Sequence, residues 1–119
     1  MRLGIGFLLA AFLGAGATAL ADDAISAIMA TPAAYDGKGV TVTGTVSHIF
    51  AASTARAPYA SFSLCDADSA CVRIFVSSHP NITEGKTATA SGSFRSAGSF
   101  NGRPYVNGIE ADSVTSAKT

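Results

Sequence analysis

The sequence has no tryptophan, only two cysteines and two histidines, and charged residues at just 13% of positions. So few metal-ligating residues, with no shared local spacing, exclude a zinc finger or similar compact metal motif. No block of like charge is present: beyond residue 21, seven Lys and Arg face eight Asp and Glu. That balance excludes a polybasic module that holds nucleic acid or membrane by charge alone. Internal repeats and low-complexity tails are also missing, and no apolar run beyond residue 21 is long enough to cross a bilayer. No Ser-His-Asp constellation, no Gly-rich phosphate loop opening a helix and no metal cluster can be assembled from the spacings. A catalytic site, a cofactor and a metal are therefore not expected.

The one long apolar run lies at the start. Arg2 gives a positive beginning, Leu3 to Leu13 form the apolar stretch, and Ala19-Leu20-Ala21 fits the small-x-small cleavage pattern before Asp22-Asp23. Residues 1–21 read as a removable export signal; a membrane anchor, the alternative, is weakened by Gly4, Gly6, Gly14 and Gly16. The mature chain, residues 22–119, is expected outside the cytoplasm, periplasmic or secreted. At this size about 60 to 65% of the surface can be buried, enough for a single core.

Export bears on Cys65 and Cys71, which flank the polar turn Asp66-Ala67-Asp68-Ser69-Ala70. Two strands joined by such a turn bring the Cβ atoms within disulfide reach. In an oxidising compartment a structural disulfide is expected. Redox catalysis would want a C-x-x-C at a helix start, which this spacing does not provide.

Ile25, Ile28 and Met29 make one apolar stripe on a short helix from Asp23 to Ala30, with Asp22 or Asp23 as cap and Pro32 ending it. After the Tyr35–Gly39 turn the period changes to two. Strands are expected from Val40 to Phe50, Tyr59 to Cys65, Val72 to Val76, Lys86 to Arg95 and Pro104 to Val114. Small-residue loops fill 51–58 and 96–103. Five strands after one helix must close into a barrel to remove their edges, and Gly44 and Gly92 suit the bends this requires. The fold class is all-β: a five-stranded barrel with a short N-terminal helix.

The segments 35–46 (YDGKGVTVTGTV), 62–66 (FSLCD), 72–76 (VRIFV), 85–92 (GKTATASG) and 105–111 (YVNGIEA) resemble an OB-fold. The likeness is to exported single-domain members of the nucleic-acid-type, anticodon-binding-like OB families, over residues 33–115. It departs from the exported haem chaperones, whose His-x-x-x-Tyr element is missing, and from the calcium-dependent thermonuclease-like barrels. Asp66 and Asp68 lack the third carboxylate that the latter need.

Such a barrel carries its ligand on strands two and three, between the loop joining strands one and two and the loop joining four and five. On that map Arg56 falls in the first loop, Tyr59, Arg73 and Phe75 on the outward face, and Arg95, Phe100 and Arg103 in or beside the second loop. Arginine can stack and fork onto phosphate, and aromatic rings stack bases. The implied function is weak binding of single-stranded nucleic acid or oligonucleotide by a monomer. The alternative is a non-catalytic envelope-stress or partner-binding role, with a protein or glycan on the same face. His79 and the pair Glu110 and Asp112 are the remaining candidates for chemistry, and an ordinary loop and a charged strand explain them equally well.

Overall fold

The structure, a computed structural model, describes residues 22–53 and 58–116. Residues 1–21, which carry the export reading, and Arg56 lie outside the described residues. Two short helices, α1 (Ile25–Ala30) and α2 (Pro32–Tyr35), precede β1 (Gly39–Ser53), β2 (Pro58–Cys65), β3 (Cys71–Val76), β4 (Thr87–Phe100) and β5 (Arg103–Ser116). The strands close in the order β1-β2-β3-β5-β4, with β4 returning to β1. All neighbours are antiparallel except β3 and β5. This is the closed five-stranded barrel that the two-residue alternation predicts, and it agrees with the OB-fold that the sequence resembles.

The alternation fills the interior as expected. Val40, Val42 and Val46 of β1, Phe62 and Leu64 of β2, and Val72 and Ile74 of β3 are buried with Phe94 of β4 and Ile109 of β5. Ile25 and Ile28 of α1 join the same core. A helix this short has little stability of its own, so burial of that stripe holds it in place.

Gly44 and Gly92 stand where the barrel bends. A Cβ at Gly44 would lie 2.7 Å from the Cys65 carbonyl oxygen, beside Thr45, where β1 pairs with both β4 and β2. A Cβ at Gly92 would lie 2.1 Å from the Glu110 carbonyl oxygen, at the register shift between β4 and β5. Cys65 and Cys71 are cross-strand partners joined by a disulfide with an S–S distance of 2.04 Å. Asp66 organises their turn by accepting from the backbone N–H groups of Asp68 and Ala70.

Several boundaries differ from the sequence reading. Neither Asp22 nor Asp23 caps α1: the N-cap is Ala24, without a side-chain bond. Both carboxylates are taken by β1 instead, Asp23 by the Thr41 N–H and Asp22 by the Thr43 hydroxyl. Pro32 does not only end one helix; it opens the next at a position where its missing N–H costs nothing. The largest difference is at 96–103, expected as a loop. There β4 and β5 run on as a hairpin through the two-residue turn Asn101-Gly102, both with positive φ (51° and 81°). Those are the dihedrals of the turn that suits twisted hairpins, and Asn-Gly is its preferred sequence.

Candidate ligand-binding groove

The β1–β2 and β4–β5 pairs both run on beyond their pairing with β3, and Tyr59 of β2 and Phe100 of β4 meet beside Phe75 on the outer face of β3. Alternation puts Arg73 and Phe75 of β3 outward, since Val72, Ile74 and Val76 are buried. Their cross-strand partners on β2 are Ser63 and Ser61. These four side chains form the floor.

Arg73 is held firmly there. β1 carries a bulge between Ser47 and Phe50, where His48 has a φ of 52°. The Arg73 guanidinium donates to the His48 carbonyl through Nη1 (2.9 Å), to Ser63 Oγ through Nη1 (3.1 Å) and to Ser61 Oγ through Nη2 (2.8 Å). All three acceptors are uncharged. Of the five N–H donors of a guanidinium, one on Nη2 and the one on Nε have no partner among the described residues. Desolvation lowers the Arg73 pKa from its ordinary value, but a guanidinium stays protonated in proteins. The groove floor therefore carries a half-buried positive charge that no anion balances among the described residues.

Around it runs a chain of five rings. Phe50 meets Tyr59 with centroids 6.1 Å apart, and Tyr59 meets Phe100 edge-on at 6.0 Å. Phe100 meets Phe75 at 5.4 Å, and Phe75 stacks on Tyr105 at 4.5 Å. The sequence has eight aromatic residues beyond position 21, so most of them are spent on this face rather than on the core. Between the rings lies a groove of about 520 Å³ that Ser61, Arg73, Arg103 and Pro104 also line. That volume falls in the range of small-ligand sites. No carboxylate lines it among the described residues.

Tyr105 belongs to the groove through a local irregularity. Ile109 is in the core, and strict alternation would turn Tyr105 inward as well. Asn107, with a φ of 52°, interrupts the alternation and leaves the Tyr105 ring on the outer face. Room for it comes from two glycines: a Cβ at Gly98 would lie 2.6 Å from Tyr105 Oη, and one at Gly108 would lie 2.9 Å from its ring. Tyr105 Oη donates to Glu110 Oε2 at 2.5 Å. Burial first, then that carboxylate, push the Tyr105 pKa well above its usual value.

Of the residues singled out in the sequence, Tyr59, Arg73, Phe75, Phe100 and Arg103 come together around this groove. Phe100 and Arg103 do so as strand residues flanking a tight turn, not as loop residues. Arg95 is exposed and is not among the lining residues; behind the two Ser96 hydrogen bonds, its charge adds a smaller contribution to the lowered pKa of Asp36. Phe50 and Tyr105 are additions that the sequence reading misses. The bulge at 47–50 and the positive φ at Asn107 move them onto this face, and no alternating pattern signals either event. Among the described residues, no group of three or more His, Cys, Asp or Glu side chains converges to hold a metal. No described helix is long and apolar enough to cross a membrane.

No protein-family model and no curated protein sequence matches the chain. Among solved structures, the fold is similar to the dimeric N-terminal domain of PriB protein from Thermoanaerobacter tencongensis. The TM-score is 0.50 at 14% identity, over 68% of this chain and 97% of that one. At this identity the likeness concerns the fold.

Proposed function

We propose that the protein is an exported, non-catalytic OB-fold module that binds single-stranded nucleic acid or oligonucleotide in the groove over β3. The observation that carries this reading is the pairing of five surface rings with Arg73 and Arg103 in a groove that no carboxylate lines among the described residues. Bases stack on ring faces for about 1 to 3 kcal/mol each, and a guanidinium forks onto phosphate. A neutral glycan would use the rings but leave the Arg73 charge unbalanced. With so few cations the binding is weak, micromolar or above.

Fluorescence anisotropy of a labelled single-stranded oligonucleotide tests the reading. Saturable binding is expected, with a loss of roughly five- to 150-fold in Tyr59→Ala and in Phe75→Ala, the equivalent of one stacked base. No binding at low salt, or binding unchanged in both variants with intact melting transitions, contradicts it.

The disulfide supports an oxidising compartment. Export is tested by the mass of the mature protein recovered from its own cells. A chain beginning at Asp22 is expected, and an intact Met1 start in the cytoplasm contradicts it.

A further inference from the structure

The groove differs from a surface that tracks a long strand. Among the described residues its cations are two, Arg73 on the floor and Arg103 beside the β4–β5 turn. Lys38, Lys86 and Arg95 do not line it. Arg73 and Phe75 are two residues apart on one strand face, and so about 6.6 Å apart. That spacing sets one phosphate beside one stacked base. Phe50, Tyr59 and Phe100 offer ring surface for two bases more, within the same 520 Å³. Beyond the rings a strand's further phosphates would meet no lining cation among the described residues.

We infer that the groove takes a short ligand, two to four nucleotides long, with one phosphate seated on the two Arg73 N–H donors that no described residue accepts and the neighbouring bases on the ring chain. The inference rests on the nucleic-acid reading and narrows it: the protein holds a strand end or a short oligonucleotide and does not coat single strands. Two consequences separate it from an ordinary single-strand binder. Affinity stops rising with length once the rings are covered, and the salt dependence is shallow. For single strands the slope of log K against log salt is about −0.7 per phosphate contacted. One or two contacts give roughly −0.7 to −1.4.

The test is calorimetric titration of the full chain with dT2, dT4, dT8 and dT16, repeated over a salt series with dT4. Affinity is expected to level off at dT4, apart from the statistical gain of extra registers, with a slope no steeper than about −1.4. Arg73→Gln is expected to weaken dT4 roughly tenfold or more and to reduce the slope by about 0.7. Arg73→Lys keeps the slope while losing the fork. Because Arg73 also ties β1 to β2, Arg103→Gln at an exposed position serves as the second variant, with a slope reduction of no more than about 0.7. Affinity that climbs tenfold or more from dT4 to dT16, or a wild-type slope steeper than about −2, overturns the short-ligand inference while the nucleic-acid reading stands. Failure of all four oligonucleotides at low salt overturns both.

Discussion

Arg73 and Asp36 show how single residues divide the work between stability and function. Arg73 spends three donors on the His48 carbonyl and on Ser61 and Ser63, so its head is oriented before any ligand arrives. Asp36 serves the fold instead. Its Oδ1 accepts from the N–H of Ser96 (2.8 Å) and from the Ser96 hydroxyl (3.1 Å), fastening the α2–β1 turn to β4. The backbone bond, followed by the hydroxyl bond, lowers the Asp36 pKa below the ordinary 3.8. A lowered carboxylate pKa stabilises the fold above the unfolded-state value and stops doing so as pH falls through the folded-state value. Stability is therefore expected to drop below about pH 4 on account of this group. Asp36→Asn, followed by thermal melting from pH 7 to pH 2.5, should flatten that acid limb. An unchanged limb would show that Asp36 does not contribute to it.

At the scale of elements, the glycines and the hairpins explain what the sequence could and could not reveal. Val40, Val42 and Val46, and the matching runs in β2 and β3, announce strands because one face is buried and the other is not. Gly44 and Gly92 announce the bends because each would force a Cβ against backbone. Backbone cannot rotate away as a side chain can, so Gly92→Ala is expected to cost about 3 kcal/mol or more, measured by chemical denaturation. A loss under 1 kcal/mol would mean that β4 and β5 are free to separate there. What alternation could not announce is where it breaks. His48 and Asn107 each adopt a positive φ inside a strand, and each redirects a neighbouring aromatic, Phe50 or Tyr105. The stretch 96–103 resembles a loop because Ser and Gly dominate it. Asn101-Gly102 is the available signal for a hairpin turn, and Gly98 is small because Tyr105 covers it. Val106 is 71% exposed, on the extended arm rather than on the barrel wall.

For the molecule as a whole, closure of five strands leaves a small core and places its spare aromatic surface outside. The Cys65–Cys71 link closes a short loop on the β2–β3 hairpin, two residues from Arg73 on the same strand face. Its removal by Cys65→Ser with Cys71→Ser is expected to cost roughly 2 to 2.5 kcal/mol in the chain-entropy model, a fall of about 8 to 20 °C in melting temperature. An unchanged melting temperature would show that the barrel alone fixes this hairpin.

On this account the groove over β3, and no other face, receives single-stranded nucleic acid. Backbone amide chemical-shift mapping during titration with dT4 tests that most directly. The expected shifts fall on Phe50, Tyr59, Ser61, Arg73, Phe75, Phe100 and Arg103, with α1 and the Asp66–Ala70 turn unaffected. Shifts confined to other faces, or no shifts at millimolar oligonucleotide, would contradict it.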